Sequence, residues 1–204
     1  MVRPALVIFD MDDVLCHYDL GRRLRALANH TDATARDVRA ALWDSGFEDA
    51  ADSGTYPDGA SYLAAFNQRL SADITLSQWI ATRREAMIPF PDVLAMAAKI
   101  KQQAEIAIFT NNGPIVKSHL ADLFPEAAEI FADRYCSYEF DTKKPDPLSY
   151  TRLLAKIGRA PSDAWFIDDK RSNVQGARLA GLRATHFRSA EELAAEAISL
   201  GFVL

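Results

Sequence analysis

The stretch LVIFDMDDVL, residues 6–15, joins one of the most apolar runs of the chain directly to three aspartates, Asp10, Asp12 and Asp13. The run Ala5-Leu6-Val7-Ile8-Phe9 reads as a strand buried on both faces, because it is short, β-branched or aromatic in large part, and shows no polar alternation. Carboxylates crowded at the end of such a strand raise one another's free energy by about several kcal/mol where the dielectric is low. Either the loop opens to water or positive charge sits among the acids, and the rest of the sequence decides between the two.

Three further β-type runs follow, at 106–109 (IAIF), 164–167 (AWFI) and, more weakly, 184–187 (ATHF). Between them apolar residues recur at helical spacing: Val93, Leu94, Ala97 and Ile100, then Leu148, Leu153, Leu154 and Ile157, then Ala177, Leu179 and Ala180 ahead of Gly181. Strands alternating with helices imply a Rossmann-like α/β fold, a mostly parallel sheet flanked by helices on both faces. Right-handed crossovers then bring the carboxyl ends of the strands to one edge. Residues 17–88 break this rhythm and read as helices near 20–28, 33–43, 60–70 and 76–87. The economical organisation is a core of residues 1–16 and 89–204, with residues 17–88 a small helical domain inserted after the first strand.

The 204 residues are 49% hydrophobic and 25% charged, which suits a globular domain with a small insertion. A net charge of −5 supplies no basic field for nucleic acid or an anionic membrane. The densest basic cluster, Arg22-Arg23-Leu24-Arg25, reads as a solvated helix face. No run approaches the length of a spanning helix, and the start of the chain does not read as a signal peptide. Cys16 and Cys136 form neither a disulfide framework nor a CxxC pair, so the expected setting is reducing and cytoplasmic.

Each strand run ends in a polar cluster: Asp10-Met11-Asp12-Asp13, Thr110-Asn111-Asn112-Gly113, and Asp168-Asp169-Lys170-Arg171-Ser172-Asn173. A fourth element, Thr142-Lys143-Lys144-Pro145-Asp146-Pro147, offers a lysine held beside a stiff proline. Taken singly, the first could feed a turn, the second and third could cap helices, and Lys144 could be a surface lysine. Together, in order and all at one sheet edge, capping needs do not account for them.

The set FDMDD, FTNN, KKPDP and FIDD resembles the four motifs of the haloacid dehalogenase-like hydrolase superfamily, over nearly the whole chain. More narrowly it resembles the sugar-phosphatase-like branch with a helical cap between the first and second motifs. The resemblance implies a Mg²⁺-dependent phosphomonoesterase acting on a small phosphorylated metabolite, with a sugar phosphate the expected substrate. Asp10 would attack phosphorus to form an aspartyl-phosphate, and Asp12 would protonate the leaving alcohol and then activate water. Asp10 and Asp169 would hold the metal, with Asp168 a direct or outer ligand and Asp12 contributing its backbone carbonyl. Thr110, with the backbone N–H groups of Asn111 and Asn112, would bind phosphoryl oxygens, and Lys144 would offset negative charge in the transition state. Asn173 would either hold the metal loop or simply begin a helix.

Two departures matter. The family often has Gly-Thr where this chain has Asp13-Val14, and Asp is expected to take the turn geometry there. The dehalogenase branch lacks the second aspartate of the first motif, whereas Asp12 is present. That favours phosphate esters over carbon–halogen bonds. The alternatives are phosphotransfer or dehalogenation at the same site, or a phosphate-sensing protein without useful turnover. His17, Tyr18 and Asp19, and residues 83–87, flank the insert and are candidate contacts to the leaving group. Trp43, Phe47, Tyr62, Phe66 and Trp79 read as the core of the insert.

Overall fold

A computed structural model describes residues 3–204. Strand β1 (Leu6–Phe9) is buried along its whole length and lies at the centre of a five-stranded sheet. Its partners are β4 (Glu105–Thr110) and β6 (Ala164–Asp168), with β5 (Asp133–Cys136) and β7 (Arg183–His186) at the edges, in the order β5-β4-β1-β6-β7. Every pairing in this sheet is parallel, and Phe9 lies level with Ile108 on one side and Ile167 on the other. That register brings the residues after Phe9, Phe109 and Ile167 to one edge, which is where the polar clusters lie.

Alternate residues of the strands feed opposite cores. Val7, Phe9, Ile106, Ile108, Trp165 and Ile167 pack with helices α6 (Pro91–Lys101), α9 (Pro125–Ile130) and α12 (Ala190–Ser199), where Phe9 meets Phe131 edge to face at 5.5 Å. Leu6, Ile8, Ala107, Phe109 and Phe166 face α10 (Pro147–Ile157) and α11 (Arg171–Leu179), burying Tyr150, Leu153 and Val174. Both faces are covered, as the unbroken apolar runs require.

Residues 16–18 and 87–89 pair as a two-stranded antiparallel ribbon, β2 (Cys16–Tyr18) with β3 (Met87–Pro89). Everything between them is helical or turn: α1 (Leu20–Ala28), α2 (Ala35–Arg39) continued by a wider π-type turn at Ala40–Asp44, α3 (Phe47–Asp52), α4 (Gly59–Leu70) and α5 (Leu76–Glu85). Asp58 and Thr75 cap α4 and α5 through hydrogen bonds to Ser61 N and Gln78 N. Buried residues from Leu24 to Trp79 run continuously into the core around Val14, Leu15 and Val93. Between β4 and β5 two further short helices, α7 (Pro114–Ser118) and α8 (Leu120–Leu123), precede α9. No helix of the described residues is long and apolar enough to cross a membrane.

The elements differ from the sequence reading at several places. The helix expected at 33–43 is broken into α2 and the π-type turn, and α3 is an additional short helix. The edge strand β5 and the ribbon β2–β3 went unread. The clusters after β4 and β6 do not cap α7 and α11: the residues preceding those helices are Gly113 and Lys170, neither with a side-chain cap.

Candidate active site

Asp10 follows β1 and is 5% exposed. Its Oδ1 accepts from the N–H of Met11 at 2.8 Å and faces Lys144 Nζ at 2.8 Å, which leaves Oδ2 without a nitrogen donor among the described residues. Lys144 Nζ also lies 2.7 Å from Asp168 Oδ2, so one ammonium bridges two carboxylates at the ends of neighbouring strands. Asp168 is fixed further by the Lys170 N–H at 2.8 Å and by Asn173 Nδ2, 3.0 Å from each of its oxygens. Asn173, four residues after Asp169, thus holds the loop and is itself buried.

Lys144 is placed by its own backbone. Asn111 accepts from its N–H at 3.0 Å and donates to its carbonyl at 2.8 Å, a two-point clasp between the β4 loop and the lysine loop. Gly176 of α11 lets Pro145 approach so closely that a Cβ there would fall 1.9 Å from the proline carbonyl oxygen. Asn112 Nδ2 donates to Thr110 Oγ1 at 2.7 Å, leaving the threonine hydroxyl proton free to turn into the site.

The electrostatics follow from burial and from the lysine. Burial pushes the Asp10 carboxyl well above the ordinary range, Lys144 works the other way, and Asp168 adds to the rise. Burial also works against charge on Asp168, but Lys144 outweighs it and holds that carboxyl low. For Lys144 itself, burial is overcome by Asp10 and Asp168, and the ammonium is kept. Burial and the neighbouring Asp168 raise Asp169. A cluster of three acids and one base is short of positive charge.

Asp10, Asp168 and Asp169 present oxygens that all lie within 4.8 Å of one another, a hard-oxygen set of the kind that holds Mg²⁺. Asp169 Oδ1 is buried with no hydrogen-bond partner among the described residues, a cost that a cation at this point removes. These residues fit the metal. The Asp12 carboxylate lies outside the cluster: Arg83 Nη2 contacts its two oxygens at 2.8 and 2.6 Å. Any part for Asp12 in metal binding falls to its backbone carbonyl.

The loop itself is tight. Met11 O accepts from the N–H groups of Leu15 at 2.8 Å and Val14 at 3.3 Å, and Asp13 takes a left-handed φ of +59°. Its Oδ1 receives the Tyr18 N–H at 3.1 Å and sits 2.9 Å from His17 Nδ1, so Asp substitutes for glycine by stitching the turn to the ribbon.

Above the carboxylates is a cavity of about 180 Å³, walled below by Asp10, Thr110, Asn112 and Lys144 and above by residues of the inserted helices. The sequence reading requires two corrections here. Phe47, Tyr62, Phe66 and Trp79 are core, with Trp43 packed against them, but Trp43, Tyr62 and Trp79 also line the cavity. Arg23, taken as part of a solvated face, is 3% exposed and also lines it. The overlooked signal is its spacing: Arg23 precedes Ala26 and Leu27 by three and four residues and shares their buried stripe. Glu48 and Asp52 were missed as well. They stand four apart on α3 and both reach the cavity.

A family model described as haloacid dehalogenase-like hydrolase matches residues 4–181. A haloacid dehalogenase family enzyme of Bacteroides thetaiotaomicron superposes with a TM-score of 0.78 over 96% of this chain and 98% of that one, at 19% identity. A structure of that enzyme in complex with magnesium and inorganic phosphate gives a TM-score of 0.74 at 17% identity, over 92% of this chain and 95% of that one. In sequence, flavin mononucleotide hydrolase 1 of Arabidopsis thaliana, a chloroplastic protein, is 34% identical over 97 residues. That match takes in 48% of this chain and only 39% of the relative.

Proposed function

The chain belongs to the haloacid dehalogenase-like hydrolases, and from that premise we propose that it is a Mg²⁺-dependent phosphomonoesterase for small phosphorylated metabolites. The observation that carries this reading is the gathering of Asp10, Asp168 and Asp169 around a single lysine, with a buried Asp169 oxygen lacking any partner among the described residues. The magnesium-and-phosphate complex of the Bacteroides enzyme, a protein of the same fold, supports it.

In this reading Asp10, Asp168 and Asp169 would hold Mg²⁺, which when bound would offset charge on the phosphoryl group and favour the ionised form of Asp10. Asp10 Oδ2 attacks phosphorus while Met11 N–H and Lys144 hold Oδ1, fixing the attack direction. The P–O bond to the leaving group breaks as the P–O bond to Asp10 forms. Asp12, paired as a carboxylate with Arg83 in the free protein, takes up a proton as the ester binds, gives it to the departing alcohol, and then takes one from the water that cleaves the aspartyl-phosphate. Thr110 Oγ and Lys144 Nζ stabilise the equatorial oxygens. Residues 17–88 act as a cap that excludes water and meets the leaving group through Tyr18, Arg23, Glu48 and Arg83.

Cavity size bears on the substrate. About 180 Å³ lies below the roughly 300–1,000 Å³ typical of sites for drug-sized ligands, so the closed site suits a leaving group of a few carbons. A tricyclic flavin, the substrate in the name of the Arabidopsis relative, would require the cap to open. Carboxylates of Glu48 and Asp52 in the wall suit a leaving group that carries hydroxyls.

Phosphate release from p-nitrophenyl phosphate tests the assignment. The expected result is turnover that disappears in Asp10→Asn and on chelation by EDTA, with inorganic phosphate equal to substrate consumed. Activity that survives both treatments, or ester loss without free phosphate, would overturn it.

A further inference from the structure

Arg23 is a buried cation with no carboxylate in ion-pair contact among the described residues, Glu48 acting on it only from a distance. It emerges from α1 at 3% exposure, and only Nη1 has a partner, the Tyr18 hydroxyl at 3.2 Å. Nε and Nη2 are buried with none among the described residues, and the guanidinium forms no ion pair among them. Its carbon lies 4.4 Å from the Trp79 ring centre and 5.7 Å from that of Trp43, so aromatic faces hold it in place. The indole nitrogen of Trp79 is buried too and, among the described residues, makes no well-formed hydrogen bond, only the Tyr62 hydroxyl being near. Donors of this kind are costly to bury unsatisfied, and the charged ones most of all. Both residues line the cavity above Asp10.

The chain's own acids do not meet this need. Glu48 Oε1 is taken up by the Tyr62 hydroxyl at 2.8 Å, and Asp12 is bound to Arg83. Arg83 lies with its guanidinium 4.0 Å from the Tyr18 ring centre, so Tyr18 separates two arginines of which only one is neutralised by a carboxylate. A planar guanidinium with two free N–H groups on adjacent nitrogens matches a carboxylate, which accepts both at once. Glu48 and Asp52 on the same wall offer acceptors for hydroxyl groups.

Building on the phosphomonoesterase reading, we propose that Arg23 and the Trp79 indole N–H form a receptor for a carboxylate on the leaving group. The preferred substrates are then phosphate esters of small hydroxy acids, not of neutral polyols.

Matched pairs test this with the full chain. 3-Phosphoglycerate and glycerol 3-phosphate differ by a carboxylate against a hydroxymethyl group, and 4-phosphoerythronate and erythritol 4-phosphate make the same comparison one carbon longer. Binding is measured by calorimetry with Mg²⁺ and the Asp10→Asn protein, so the readout does not need turnover. At one chain length at least, the acid is expected to bind about tenfold or more tightly, the scale of a charge-assisted hydrogen bond. Arg23→Met in the same background should bring that ratio to within about twofold of one, and Arg23→Lys should restore part of it. Equal binding of acid and alcohol at both lengths with Arg23 intact overturns the proposal, even should the Met variant fail to fold. Equal binding together with aryl phosphate hydrolysis by the unmodified protein sinks the carboxylate receptor alone. A strong acid preference with no hydrolysis of any ester sinks the phosphatase reading and leaves the receptor standing.

Discussion

One nitrogen, Nη2 of Arg83, lies 2.8 and 2.6 Å from the two oxygens of Asp12, joining the last helix of the insert to the loop after β1 across 71 residues of chain. The arginine side chain is 4% exposed and the aspartate 24%. Burial works against the arginine's charge, but Asp12 more than compensates, so the cation persists at any accessible pH. The pair both closes the insert onto the loop and holds the proposed acid–base group in one position.

Removing one partner should therefore cost more than removing both. A fully buried pair broken on one side costs about 3–5 kcal/mol, and partial exposure of Asp12 brings the expected loss for Arg83→Met to about 2 kcal/mol. In a double-mutant cycle with Asp12→Asn, followed by urea denaturation, a coupling of about 1–2 kcal/mol is expected. Additive losses would mean that the contact does not hold the insert in solution. In the same variant, kcat/KM is expected to fall about tenfold or more through the loss of Asp12 positioning.

Asn173 offers a cleaner test of the carboxylate cluster, because its amide bonds to Asp168 and not to the proposed nucleophile. Its amide donates to both oxygens of Asp168 at 3.0 Å. Residues that orient metal-binding side chains typically change metal affinity by about 10–100-fold when removed. Asn173→Ala is expected to raise the Mg²⁺ concentration for half-maximal activity by about tenfold, with much of the rate recovered at saturation. An unchanged Mg²⁺ titration would separate Asp168 from the metal and leave it as a partner of Lys144 alone.

How far the sequence could be read depended on where each side chain spends its burial. Strands β1, β4 and β6 are apolar on both faces, and such runs have no competing interpretation once helices flank them. Edge strand β5 reads Asp-Arg-Tyr-Cys, mostly polar or half-exposed, and carries no period of its own. The ribbon β2–β3 has three residues a side, and its pairing of His17 with Ile88 comes from a closure no local pattern encodes. Site residues at strand ends were readable because topology alone collects them. Arg23, Glu48 and Asp52 were not, since their meeting depends on how two short helices, α1 and α3, pack. Arginine on a helix is solvated so often that only its stripe with Ala26 and Leu27 could have pointed inward.

Asp52 carries a pH prediction. It lies at the end of α3, partly buried, facing the cavity, with its carbonyl bonded to Ser137 Oγ at 2.6 Å. Burial raises its carboxyl well above the ordinary value of 3.8, the nearby Glu48 adds to the rise, and Arg83 and Lys170 only partly oppose it. A group whose affinity for its proton is greater in the folded state stabilises the fold below the unfolded value. That contribution is lost as pH climbs through the folded one. The charged carboxylate is therefore a burden on the folded protein at neutral pH, and a neutral isostere relieves it. Asp52→Asn should melt higher than the unmodified protein at pH 7.5. The gap should narrow toward pH 4, where the folded carboxyl keeps its proton. Thermal melts at the two pH values check this. A variant that is less stable at pH 7.5 would show that the charge of Asp52 is matched by Arg83 and Lys170, and that the carboxylate serves the cavity as an anion.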